Sequence, residues 1–259
     1  MNHQQQHTSS GRIMAERRVD VAVIGGGIVG LGIAWTVAQS GRTVAVIDPM
    51  PAAGATYAAA GMLAPVSELQ YQEEHLLELM LASAALYPAF VESLGTDVDA
   101  TGYQTTTTVS VGVDGADRQS LSDLREVQLA NGLSVQPLTV REARALEPLL
   151  SPQLSSAFLI ERDHQVDPRK LAERLQCAIA ARAREYGWSE EPVIRQNAVG
   201  LLLEHRADPS SRVTGVTLDD GSAVMAGEVI VANGLGAALL DGLPATLSRF
   251  APQAKQARP

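Results

Sequence analysis

Residues 21–38 form an almost unbroken apolar run, VAVIGGGIVGLGIAWTVA, that changes character midway. Residues 19–24 are rich in β-branched side chains with no polar alternation, which predicts a central parallel strand covered on both faces. Residues 28–39 read as a helix and residues 43–47 (TVAVI) as a second buried strand. Strand, helix and strand within about 30 residues make a βαβ unit, with a right-handed crossover expected. The apolar run is long enough to suggest a membrane span or a signal segment, the more so behind Arg17 and Arg18. Its five glycines, three of them consecutive, and the polar closure Gln39-Ser40-Gly41-Arg42 argue instead for a buried strand and helix.

Further along, residues 51–65 are rich in Ala and Gly and predict an extended loop with a short helical turn. Leu76, Met80, Leu86, Phe90 and Leu94 recur at near-helical spacing, so residues 76–94 are expected to form an amphipathic helix interrupted or kinked at Pro88. Residues 104–113 (QTTTTVSVGV) read as a strand. Helices are expected over 120–131 and 140–146, and a strand over 155–160. A strong helix is expected over 168–186, with Asp167 as N-cap and Pro168 at the first helical position. Residues 200–204 and 213–218 fit a hairpin across the polar turn Asp208-Pro209-Ser210-Ser211. Residues 224–232 predict another buried strand, followed by Asn233-Gly234 and a short helix.

This order predicts an α/β fold: a discontinuous Rossmann-type domain with an inserted partial α+β substrate domain. The expected boundaries are a disordered extension over 1–17, the first part of the cofactor domain over 18–95, the insert over 96–157, the second part over 158–250, and a polar tail over 251–259.

Composition narrows the function. The chain has 259 residues, 46% hydrophobic and 19% charged, with a net charge of −9 and a pI near 5.0. An acidic chain without a basic block is a poor partner for nucleic acid or an anionic membrane. Cys177, the one cysteine, excludes an internal disulfide and any cysteine metal cluster held by this chain alone. It points to a reducing, cytoplasmic compartment.

Gly25-x-Gly27-x-x-Gly30 follows the first predicted strand and opens a helix. Gly25 suits the tight turn, Gly27 a close approach of backbone to a pyrophosphate, and Gly30 the contact of helix on strand. The helix N-terminus offers N–H groups and a partial positive charge to phosphates. Asp48 ends the second strand 23 positions after Gly25, where an acid accepts hydrogen bonds from ribose hydroxyls and disfavours a 2′-phosphate. The lesser alternative is that Asp48 simply caps the turn before Pro49. These residues indicate an adenine dinucleotide and leave NAD and FAD open.

Gly54-Ala55-Thr56-Tyr57-Ala58-Ala59-Ala60-Gly61-Met62-Leu63-Ala64-Pro65 follows the βαβ unit. With VIGGGIVGLGIAW and Asp163-His164-Gln165-Val166-Asp167-Pro168, it resembles the D-amino-acid oxidase superfamily of flavoproteins, nearest the glycine oxidase (ThiO) type, over residues 18–245. The resemblance implies FAD as cofactor. It implies Ile28 and Val29 against the FAD pyrophosphate and Asp48, followed by Pro49, at the ribose. It places Ala55 and Thr56 near the pyrophosphate, Ala60, Gly61 and Met62 beside the isoalloxazine ring, Val199 on the adenine side, and Asn233-Gly234 near the cofactor. The implied reaction oxidises a small amino acid with O2, in thiamine biosynthesis, by a homo-oligomer. The family continues for roughly another third of its length beyond Pro259. The chain is therefore expected to be C-terminally truncated, with the substrate-carboxylate ligands beyond it and its catalytic residues unknown. A non-catalytic cofactor-binding fragment and an NAD-dependent dehydrogenase are the alternatives.

Other residues are read as structural. His164 is expected to be a loop histidine rather than a base, and Glu73-Glu74-His75 a solvated cluster. Cys177 is expected to be buried and inert, and the threonines 105–108 to be strand residues. Trp35 and Trp188 are expected to pack. Ser110 lacks the context of a hydrolase nucleophile, and no metal site is expected.

Overall fold

A computed structural model of the chain describes residues 16–95, 97–205 and 211–243. Of the extension expected to be disordered over 1–17, residues 1–15 lie outside the described residues, while Glu16 and Arg17 instead open the first strand, paired with Ala223 and Val224. Most of the polar turn at 208–211 and the tail over 251–259 also lie outside the described residues. The chain divides into two compact units, Met1–Ala55 with Leu175–Pro259, and Thr56–Arg174. The segment expected as an insert, 96–157, falls inside the second of these units.

The first unit is built on a six-stranded sheet. Strand β1 (Glu16–Ile24) leads through helix α1 (Ile28–Gln39) to β2 (Val44–Ile47), which pairs parallel with β1. Val21–Ile24 and all of β2 are buried, as strands covered on both faces require. Helix α1 buries Leu31, Ala34, Trp35 and Ala38. Ser40 and Gly41 end it, their N–H groups returning to the carbonyls of Val37 and Ala38.

The later segment of this unit completes the sheet. Counting strands along the whole chain, β8 (Val193–Ile194) pairs parallel with β2 on one side, and β11 (Ala223–Val231) pairs parallel with β1 on the other. Strands β9 (Ala198–Leu203) and β10 (Val213–Leu218) follow as an antiparallel pair, giving the order β8-β2-β1-β11-β10-β9. The core joins Ala22 and Ile24 of β1, Ala45 and Ile47 of β2, and Val216, Leu218 and Val224. Among the described strands the first, β1, thus has the last, β11, as its neighbour, which is the discontinuity the sequence predicted.

The second unit contains helix α2 (Ala55–Ala58), which begins at its boundary, then β3 (Met62–Leu63) and α3 (Glu74–Glu92). Strands β4 (Thr108–Gly112), β5 (Gln136–Leu138) and β6 (Ser156–Ile160) form an antiparallel sheet in the order β4-β6-β5. Helix α4 (Gly115–Ala130) is capped by Asp114, whose carboxylate accepts from the N–H groups of Ala116 and Asp117. Helix α5 (Val140–Leu146) starts with a reciprocal Thr139–Glu142 capping box. Strand β7 (His164–Gln165) pairs antiparallel with β3. Helix α6 (Pro168–Glu185) carries the chain out of this unit, and Asp167 caps it as expected. Val66, Leu69, Leu77, Leu133, Val135 and Ile160 form the core.

Three expectations are corrected here. Helix α3 buries Leu77 and Val91, and Leu94 is buried just beyond its end, while Leu76 and Leu86 are exposed. Its sequence is apolar at so many positions that the 3.6-residue period does not select a face. Cys177 is exposed, because the buried stripe of α6 runs through Leu175, Ala178 and Ile179. The threonines 105–107 precede β4 rather than lying in it. Pro88 lies inside α3 without ending it. Among the described residues no helix is long and apolar enough to cross a membrane.

Candidate functional site: a glycine turn and a small-residue strand

The C-terminal ends of β1, β2 and β11 converge on the glycine turn, where open parallel sheets bind ligands. Gly25 has φ +103°, and a Cβ there would stand 2.6 Å from the Ala232 carbonyl carbon and the Asn233 Cα. Its requirement is therefore double: a left-handed turn, and the approach of the chain leaving β11. A Cβ on Gly30 would collide with the Gly25 carbonyl oxygen, so the helix packs on the turn only without a side chain there. Gly27 stands at the N-cap of α1, and a helix N-terminus of this kind suits a ligand's oxygens. Val29 is 64% exposed on the first turn of that helix.

Asp48 faces this turn. Its Oδ2 accepts from the Gly26 N–H at 2.7 Å, and its Oδ1 accepts from the Met50 N–H at 2.8 Å. Asp48 thus caps the turn containing Pro49, and the same carboxylate lies against the glycine loop. A carboxylate has about four lone-pair sites, so two bonds leave acceptor capacity for sugar hydroxyls. The loop that follows is tied back, the Ala52 N–H donating to the Gly26 carbonyl at 2.9 Å. Ala52 adopts φ +62°, an uncommon value outside glycine.

Sequence reasoning placed Asn233 nearby and missed what its side chain does. Its Oδ1 is buried and has no hydrogen-bond partner, and its amide does not cap the 3-10 turn Gly234–Leu239 that follows. An orphaned acceptor, a glycine turn that no side chain crowds and a carboxylate at the end of β2 together fit the ADP half of a dinucleotide. Among the described residues no group of three or more His, Cys, Asp and Glu side chains could hold a metal ion.

Gly25, Gly27, Ile28, Val29, Gly30, Asp48 and Pro49 are thus brought to one turn. Ala55 is exposed at the end of the same unit. Val199 is on β9, 40% exposed, its carbonyl accepting from the Asp241 N–H.

The remaining predicted residues belong to the second unit. Thr56 is buried in α2. Ala60 is exposed, Gly61 has φ +80°, and Met62 opens β3 with 61% exposure. An open apolar groove of about 300 Å³ runs beside β3, lined by Met62, Leu63 and Pro65 with Leu79, Met80 and Tyr87 of α3. Burial, and then the nearby Tyr103, push the Tyr87 hydroxyl up to about 12. His164 lies on β7, its Nδ1 3.0 Å from the Tyr103 hydroxyl. Trp35 is buried under the Arg182 guanidinium, 5.7 Å from its ring centre. Trp188 is half-buried.

Comparison with known proteins places the chain in a family. The DAO family, described as FAD dependent oxidoreductase, matches residues 20–257. The chain is 32% identical over 230 residues to a glycine oxidase of Geobacillus kaustophilus, covering 86% of this chain and 56% of that protein. The crystal structure of glycine oxidase from Geobacillus kaustophilus superposes with a TM-score of 0.71 at 29% identity, over 86% of this chain and 57% of that one. A bifunctional protein ThiO/ThiG of Nostoc is 29% identical over 236 residues, 88% of this chain and 32% of that protein. The chain thus spans little more than half the length of the glycine oxidase it matches. The dinucleotide choice left open by the motif falls on FAD, not NAD: the chain belongs to the DAO family of FAD-dependent oxidoreductases.

Proposed function

We propose that this protein is an amino-acid oxidase of the glycine oxidase type, acting on glycine or a similar small amino acid in thiamine biosynthesis. In this reading it works in the cytoplasm as a homo-oligomer, with O2 as second substrate. The chemistry FAD supplies when bound is two-electron oxidation of the amine carbon with O2 as terminal acceptor, so that glycine, O2 and water become glyoxylate, ammonia and H2O2.

The residues of this chain bind and orient. The first turn of α1, at Ile28 and Val29, takes the pyrophosphate on main-chain donors and the helix dipole. Asp48, already turned onto the Gly26 N–H, accepts from the ribose. Ala55 and Thr56 are assigned to the pyrophosphate and Val199 to the adenine. Ala60, Gly61 and Met62 lay small-residue main chain along the flavin ring, where bulky side chains would hold it off. Tyr87, protonated throughout the working range because its hydroxyl is pushed up to about 12, supplies no base. An oxidation in which the cofactor takes both electrons does not demand one.

One observation carries the reading: a carboxylate at the end of β2 bonded into the glycine turn, in a chain 32% identical to a glycine oxidase over 86% of its length. The test is to purify the 259-residue chain, add FAD, and record its visible spectrum and its H2O2 yield with glycine, sarcosine and D-alanine. Bound flavin is the expected result, and peroxide formed from a small amino acid would assign the oxidation to this chain itself. Bound flavin with no peroxide would favour the non-catalytic, cofactor-binding reading, and no bound flavin would overturn both.

A further inference from the structure

In the unit Thr56–Arg174, residues 163–167 stitch together two stretches of chain. Toward one side, β7 pairs with β3, Met62 opposite Gln165 and Leu63 opposite His164, and the Val166 N–H donates to the Gly61 carbonyl at 2.9 Å. Toward the other, Gln165 and Gln104 exchange two main-chain bonds of 2.8 and 3.1 Å, and the Asp167 N–H donates to the Gly102 carbonyl at 3.1 Å. A Cβ on Gly61 would collide with the Val166 carbonyl oxygen, so the fit is tight as well as bonded.

Asp163 anchors this arrangement. Its side chain is fully buried, and its two oxygens accept from the N–H groups of Val66 at 3.0 Å and Ser67 at 2.9 Å. A buried carboxylate is costly unless such donors compensate it. From the opposite side, the buried Gln128 amide donates to the Val66 carbonyl at 2.8 Å. One residue along, the Tyr103 hydroxyl meets His164 Nδ1 at 3.0 Å, and Tyr103 is backed by the Tyr87 ring at 5.4 Å. The chain from Gly61 to Ser67 is therefore held at each step, and a short strand with few side-chain contacts needs this to keep one position.

We propose that Asp163 is a positioning residue for the flavin: through Val66 and Ser67 it fixes the strand that presents Ala60, Gly61 and Met62, and the Tyr103–His164 pair secures the same strand from β7. The proposal rests on the reading above that these three residues lie along the ring. It assigns the Asp163-His164-Gln165-Val166-Asp167-Pro168 segment a task besides capping α6.

The test uses the full chain loaded with FAD, as wild type, Asp163→Asn and Tyr103→Phe. The amide of Asp163→Asn keeps one acceptor and turns a donor on the other N–H, with almost no change of shape. The expected result is a far-UV spectrum like that of wild type, FAD bound about tenfold more weakly, and a changed visible circular dichroism and midpoint potential of the bound flavin. Tyr103→Phe, which removes only the hydroxyl, should move the same two flavin signals to a smaller extent. If Asp163→Asn lowers the melting temperature but leaves both flavin signals at their wild-type values, Asp163 merely stabilises the fold and the proposal is overturned. Should that variant not fold, unchanged signals in Tyr103→Phe overturn it instead. Failure of the wild type to take up FAD would overturn the functional reading and this inference with it, an outcome distinct from the others.

Discussion

Gly30 and Asn233 make opposite demands at the same turn. At Gly30 the missing Cβ is what lets α1 reach the Gly25 carbonyl, and Val23 Cγ1 lies 3.3 Å from where a Cβ would stand. Gly30→Ala should therefore cost about 1–3 kcal/mol by overpacking, read from urea unfolding, and should abolish FAD binding. A variant that binds FAD like the wild type would show that the helix N-terminus does not hold the phosphates. Asn233 is the reverse case, a buried acceptor with no donor. Such a group costs about 1–3 kcal/mol while unpaired, and a cofactor hydroxyl is a donor of the right kind. Asn233→Ala is thus expected to melt higher than the wild type without FAD and to bind FAD about fivefold more weakly. A loss of stability in the free protein would contradict this account.

Among the elements, short polar devices set the ends. The Asp167 carboxylate accepts from the N–H of Arg169 at 3.0 Å and of Lys170 at 3.4 Å, so Asp167→Ala should cost about 1 kcal/mol in urea unfolding. At the start of the first sheet, Asp20 Oδ2 accepts from the Thr43 N–H and hydroxyl at 2.7 and 2.8 Å, and the Asp20 N–H donates back to that hydroxyl oxygen. The Thr43 hydroxyl and peptide donors lower the Asp20 carboxyl; partial burial opposes them and Arg42 assists. A carboxyl held low in the folded state stabilises it above the unfolded value of about 3.9 and loses that contribution as pH falls through the folded value. Asp20→Asn should flatten the fall in melting temperature between about pH 5 and pH 2; an unchanged slope would place the acid sensitivity elsewhere. The same elements show what sequence could carry. Helix α1 was legible to the residue, since glycines and a polar closure mark its ends. Strands β3, β7 and β8 have two residues each, too few to express a period, and their existence depends on partners far along the chain. That is why the clamp around Asp163 was not foreseen. For α3 and Cys177 the elements were anticipated and the faces were not.

On the scale of the molecule, the first unit is assembled from the two ends of the described chain. Strand β1 lies between β2 and β11, and the residue that turns the chain into the phosphate loop, Gly25, abuts Ala232 and Asn233 more than 200 positions later. The turn therefore exists only when both segments are folded together, and a ligand that binds there, as proposed for FAD, stabilises both. Binding to the folded state alone contributes RT ln(1 + [L]/Kd), about 2.7 kcal/mol at a hundredfold excess over Kd. For a domain of this size each kcal/mol is worth about 2–4 °C, so saturating FAD should raise the melting temperature by roughly 5–11 °C. It should also slow proteolysis in β1 and β11 alike, because neither can open while the turn is occupied. The matched control is Asp48→Ala, which loses the acceptor at the end of β2 and should show a shift smaller by the change in RT ln Kd. Protection of the β1 segment without that of β11 would mean that the turn closes on its ligand without the later strand. The contact between Gly25 and Asn233 would then be a packing feature rather than part of the cofactor site.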